Sequence, residues 1–161
     1  MMWRTAMAVT FSLLMTAAAQ ADADITVSGN LLPPVCTVHN GSGDSISVDF
    51  GDEINISRID GARYQKTVTY QIDCEDDGHA WPLRLRIMGT EGWNNQTLQS
   101  DRAHLGLRFE LGGNPVVLGA GIPITSRTSP PTLTVVPVKD PRADPLEGTF
   151  EATANLLAEY Y

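Results

Sequence analysis

Apolar and polar residues alternate in several stretches of this chain, and the longest alternation closes it. Phe150, Ala152, Ala154, Leu156, Ala158 and Tyr160 fall at every second position, with Thr149, Glu151, Thr153, Asn155 and Glu159 between them. A helix would place its apolar residues three and four apart on one stripe. The period of two fits a strand with one buried face, although Ala, Leu and Glu are good helix formers. One long strand is therefore predicted over 148–161, with Gly148 marking its start and Tyr161 its end. No hairpin partner follows it, so something else must pair with its far edge or that edge stays open.

A second alternation runs over 22–31, with Ala23, Ile25, Val27, Gly29 and Leu31 on its apolar side. It predicts a strand ended by Pro33 and Pro34. Gly29 sits where a core strand would normally carry a side chain. Between these ends come further strands at 67–73, 81–87 (Leu83, Leu85 and Ile87 inward), 104–111 and 132–138, with a short piece at 116–118. Pro137 suggests that the 132–138 strand lies at a strand end or sheet edge. Turn clusters separate the strands, among them 89–92, Gly112-Gly113-Asn114 and Ser129-Pro130-Pro131. Many short strands at this spacing predict an all-β sandwich in one domain, without internal repeats.

At 161 residues and 42% apolar content the chain can build a core and is not of disordered composition. A net charge of −8 argues against nucleic acid as a partner. Residues 1–21 read as a signal peptide: Arg4 supplies the positive start, 6–18 the apolar run, and Ala19-Gln20-Ala21 the small-x-small cleavage site. The run is too short to span a bilayer, so the protein is not expected to be membrane-embedded. Export places Cys36 and Cys74 in an oxidising space, where two cysteines allow one pairing.

Catalytic and cofactor chemistry finds no support. His39, His79 and His104 lie in separate segments, and the acidic run 73–77 lacks the oxygen-ligand spacing of a calcium loop. No nucleophile elbow or phosphate loop occurs. Trp81, Trp93, Tyr64 and Tyr70 could line a sugar site but are read in the main as packing. The expectation is a protein that is not an enzyme and uses no metal or cofactor.

The two ends carry a family likeness. Gly148 stands fourteenth from the end and the aromatic Tyr160 next to last, with Phe150, Ala152, Ala154 and Leu156 between them. This resembles the carboxyl-terminal strand of chaperone–usher pilus subunits. The stretch 25–38, with Gly29-Asn30-Leu31, proline, then Cys36-Thr37-Val38, looks like their amino-terminal extension and first strand. Asn40-Gly41, 46–51 and a second cysteine closing a strand at Cys74 continue the match, which is nearest to the minor tip subunits of P and type 1 pili.

The resemblance implies an incomplete immunoglobulin-like sandwich that lacks its last strand and is completed in trans by donor-strand complementation. It divides the chain into a signal peptide (1–21), a donor-strand extension (22–32) and a pilin domain (33–161). A periplasmic pilus chaperone would fill the groove beside Gly148, Phe150, Ala152, Ala154, Leu156, Ala158 and Tyr160, and its basic residues would hold the carboxylate of Tyr161. At the outer-membrane usher, a neighbouring subunit's extension would replace the chaperone strand. The extension of this chain, through Ala23, Ile25, Val27, Gly29 and Leu31, would enter the groove of the next subunit toward the tip, up to an adhesin. The subunit would thus be a minor fimbrial component, a tip adaptor supporting adhesion, exported through the periplasm to the cell-surface fimbrium. The competing reading is a self-contained secreted sandwich that binds carbohydrate or host protein and keeps 23–31 in its own sheet.

Overall fold

A computed structural model describes residues 25–31, 35–75 and 82–161, and the chain separates into two units, Met1–Leu31 and Leu32–Tyr161. In the first unit, residues 25–31 form no strand, and Ile25, Val27 and Leu31 are exposed. The strand predicted over 22–31 is therefore absent from its described part. An alternating segment gains a ladder only where a partner strand offers backbone groups. Ala23, the leader, Pro33, Pro34, His79 and Trp81 lie outside the described residues.

The second unit is built from ten antiparallel strands, among the described residues, and one short 3-10 turn at Ile56–Arg58. Strand β1 (Cys36–His39) pairs with β3 (Gln71–Cys74). One larger sheet orders β2 (Lys66–Val68), β9 (Leu133–Lys139), β6 (Leu105–Leu111) and β5 (Leu98–Gln99), with β7 (Asn114–Pro115) folded back on β6. Gly112 and Gly113 turn that hairpin with φ of 58° and 82°, the positive values a tight two-residue hairpin demands. The other sheet orders β10 (Asn155–Tyr160), β4 (Leu83–Met88) and β8 (Ile122–Ile124). The core fills the space between: Leu83, Leu85 and Ile87 from β4 join Leu107 and Leu111 from β6 and Leu133 and Val135 from β9.

Within this unit, three predicted elements differ from the sequence-based expectation. The run 67–73 is two strands, because β2 joins β9 while β3 joins β1. Val68, Tyr70 and Ile72 stay buried straight through the change of sheet, so the alternation gives no sign of it. Tyr70 anchors the switch: its hydroxyl donates to the Pro131 carbonyl at 2.6 Å, and burial pushes its pKa up to about 12. The terminal strand is also shorter than predicted, since pairing covers only Asn155–Tyr160 and residues 148–154 join no ladder. The piece at 116–118 is buried at Val116 and Leu118 but is not a strand.

Pro137 shows why a proline can sit inside β9. The Asp140 N–H donates to the His104 carbonyl, so even-numbered β9 residues face β6 and Pro137 faces the other edge. There β2 reaches only as far as Val135, so no ladder bond is lost at Pro137. The strand itself is not at the sheet edge that the sequence suggests but lies between β2 and β6; only its Pro137 end runs past β2.

Cys36 and Cys74 form a disulfide and are register partners in the β1–β3 pair. Closing a loop of sequence separation 38 stabilises the fold by roughly 3–4 kcal/mol in the chain-entropy account. Alkylation of exported protein without reductant is expected to leave the intact mass unchanged, and alkylation after reduction to add two labels. Two labels without reductant would show free thiols.

Candidate functional site

Strand β10 is an edge strand. Among the described residues it pairs with β4 on one side and with no strand on the other, although β1 passes nearby. The phase of its backbone follows from one bond. The Tyr161 N–H donates to the Pro82 carbonyl at 3.1 Å, so odd-numbered residues of β10 face β4. Upstream, Glu151 keeps the same phase, accepting from the Asp101 N–H at 2.9 Å and donating its own N–H to Asp101 Oδ1 at 2.8 Å. Even-numbered residues therefore aim their N–H and C=O groups at the open edge. Those same residues send their side chains to the core face: Phe150, Ala152, Ala154, Leu156 and Tyr160 are half-buried against the core, and Ala158 is buried.

A second unpaired segment shares this character. Ile46, Val48 and Phe50 alternate half-buried with exposed Ser47 and Asp49, and 46–50 joins no ladder. The two segments meet where the Phe50 and Phe150 rings lie 5.8 Å apart, tilted by 46°. Core-facing side chains that stay half-exposed beside unpaired backbone describe a sandwich with one strand missing. The alternation at 46–50 was visible in the sequence, but its place in the groove was not.

Both ends of the terminal segment are fixed. Gly148 has φ of 127°, a value side chains rarely adopt, and a Cβ there would lie 2.9 Å from Arg102 Nη2. Arg102 Nε donates to the Thr149 carbonyl at 3.1 Å. At the far end, Glu159 accepts from Arg84 Nε at 2.8 Å and Arg86 Nη2 at 2.9 Å, and Arg84 sits 5.0 Å from the centre of the Tyr161 ring. Tyr161 itself is exposed. These cross-strand ties hold β10 on β4 while its other edge stays free.

The structure brings together Gly148, Phe150, Ala152, Ala154, Leu156, Ala158, Tyr160 and Tyr161 as one segment, and it leaves Ile25, Val27, Gly29 and Leu31 exposed in the other unit. A Cβ at Gly29 would meet no atom within 4 Å. Among the described residues, no cluster of His, Cys, Asp and Glu could hold a metal ion. The ring nitrogens of His39 face two acceptors, the Asn40 carbonyl and Asp73 Oδ2 at 2.7 Å, and both raise its pKa. Asn40, part of a glycosylation-like triplet, accepts from the Ser42 and Asp44 N–H groups and so shapes its own turn. No helix among the described residues is long and apolar enough to cross a membrane.

A family model described as fimbrial protein matches residues 15–161. The sequence is 31% identical to the fimbrial adapter PapF of Escherichia coli, over 92% of this chain and 95% of that protein. It is 31% identical to the minor fimbrial protein PrsF of Escherichia coli, with the same coverage. Among solved structures, the P pilus adaptor subunit PapF is similar at a TM-score of 0.54 and 29% identity, covering 82% of this chain and 100% of that one. The P pilus rod subunit PapA shares the fold at a TM-score of 0.58 and 21% identity, covering 86% of this chain and 100% of that one.

Proposed function

The chain belongs to the fimbrial protein family, and from that premise we propose that it is a minor pilus subunit acting as a tip adaptor, polymerised by exchange of strands between neighbours. The observation that carries this reading is the free edge of β10, where unpaired backbone and half-exposed apolar side chains share one set of residues. A strand laid there forms ladder bonds with the even-numbered residues from Phe150 to Tyr160 and covers their side chains.

In this reading the leader 1–21 directs export, and a periplasmic chaperone supplies the first covering strand. At the outer-membrane usher, the extension of the following subunit replaces it. The chain's own extension, through Ala23, Ile25, Val27, Gly29 and Leu31, enters the subunit nearer the tip, in the adaptor's case the adhesin. Burying Ile25, Val27 and Leu31 contributes roughly 5–9 kcal/mol before ordering costs, and each ladder bond about 0.5–1.5 kcal/mol more. The adaptor role rests on the likeness to PapF, and the need for a chaperone rests on the hazard of an uncovered edge. The rival module needs 23–31 in its own sheet, and residues 25–31 carry no strand.

Expression in the periplasm with and without the cognate chaperone tests the proposal. Alone, the subunit is expected to aggregate or be degraded. Co-expression of the chaperone, or addition of a peptide matching a neighbour's extension, is expected to restore soluble protein. A stable monomer purified alone in good yield would refute it.

A further inference from the structure

A cavity walled by described residues lies on the outer face of the larger sheet, away from the β10 edge. It is a depression of about 560 Å³, inside the range of roughly 300–1,000 Å³ typical of small-molecule sites. Loops at 59–61, 93–97 and 140–144 wall it, and Arg108 and Val138 lie between them. Trp93 is held there by contact with bare backbone: a Cβ on Gly106 would come 3.1 Å from the indole Cη2 and 3.0 Å from the Leu98 carbonyl. Gly106 therefore lets the Trp93 loop approach β6 closely.

The chemistry of the cavity follows from which groups are already engaged. Asp140, buried at 3% side-chain exposure, accepts from Arg142 Nε and Nη2, and this pairing holds its carboxyl well below the usual carboxylate range. Lys139 donates to Asp144 at 2.8 Å. Arg108 donates to Glu110 at 2.9 Å and to the Gly61 carbonyl at 2.7 Å. Asp60 accepts from the Ala62 and Arg63 N–H groups. Every charged wall group thus has a partner within the protein, and the signs cancel around the cavity. The uncommitted groups are neutral. Trp93 Nε1, Asn94 Nδ2 and the Gln96 amide make no hydrogen bond among the described residues, while Asn94 Oδ1 fixes the loop by accepting from the Gln96 N–H at 2.9 Å and the Thr97 hydroxyl at 2.8 Å.

We propose that this depression binds a neutral saccharide. An indole offers an apolar surface for a sugar's C–H groups, and its N–H, with the two amides, offers donors and an acceptor to hydroxyls. Anionic or cationic ligands find no unpaired counter-charge here, and a shallow open site suits a terminal sugar unit.

The test uses the mature chain in complex with its periplasmic chaperone. Saturation-transfer NMR is recorded during titration with the methyl glycosides of galactose, glucose, mannose and N-acetylglucosamine, and with N-acetylneuraminic acid as the anionic comparison. Saturable binding of at least one neutral glycoside is expected. Gln96→Ala is expected to weaken it by about 3–10-fold, the worth of one hydrogen bond, and Trp93→Ala by about tenfold or more. Should Trp93→Ala fail to fold, Gln96→Ala decides, because its side chain bonds nothing in the protein. No saturation by any neutral glycoside, equal affinity in Gln96→Ala, or preference for the anionic sugar would overturn the proposal.

Discussion

Removing Tyr160 and Tyr161 is expected to abolish recovery of the subunit in complex with its periplasmic chaperone, reducing yield to background. The two residues do different things. Tyr160 pairs with Leu83 at the last register position of β10, and Tyr161 closes the ladder through Pro82. In the proposed complex the Tyr161 carboxylate accepts charge-assisted bonds from basic chaperone residues and sets the register of the incoming strand. A second variant separates these contributions. Two glycines added after Tyr161 keep every tyrosine contact but carry the carboxylate roughly 7 Å further along an extended chain. If capture depends on the carboxylate, this extension is expected to be nearly as damaging as the deletion. Full-strength chaperone binding by the deletion would remove the carboxyl terminus from the mechanism.

Gly29→Leu is expected to leave the chaperone complex at normal yield and to block insertion of the extension into the next subunit. The substitution has room within its own chain, since a Cβ at this position meets nothing within 4 Å. Any penalty must then come from the groove that receives it. Glycine in the inward register fits a groove shallow enough at that point to admit only backbone. A leucine there would overlap at a cost of typically 1–3 kcal/mol or more, which lowers the exchange equilibrium by about 5–150-fold. Chaperone-complex yield and strand exchange measured on the same protein read the two effects apart. Normal exchange would remove the steric role of Gly29. Poor yield of the chaperone complex would mean that the extension contributes to the chain's own fold.

The sequence was most readable where one face of a strand is buried by the same chain. Leu83, Leu85 and Ile87 are inward in β4 as their spacing requires, and the tight turn at Gly112 and Gly113 lies where the glycines stand. It was least readable where partners decide. Val68, Tyr70 and Ile72 keep one phase while the chain moves from β9 to β1, so inward alternation cannot report which strand lies alongside. Phe150, Ala152 and Ala154 have the pattern of a strand without a ladder, because the pattern encodes a buried face and not the neighbour that completes it. The cavity at Trp93 was out of reach for another reason: its walls come from loops separated by tens of residues, and no local spacing joins them.

The position of the disulfide has a mechanical consequence. It joins Cys36 to Cys74 at the first register pair of β1, shortly after the proposed extension in sequence. In a fibre built as proposed, tension carried by the extension would reach the second unit from the amino-terminal side of Cys36. Without the covalent link, a pull directed away from β3 would peel β1 from it one ladder bond at a time, starting at the Cys36 end. With the link, the same pull is shared at once with β3, so the short β1–β3 pair is spared from opening at its loaded end. In that fibre the cross-link would serve the loaded filament as well as the resting fold, replacing the peeling of a two-stranded sheet by a load borne on covalent bonds.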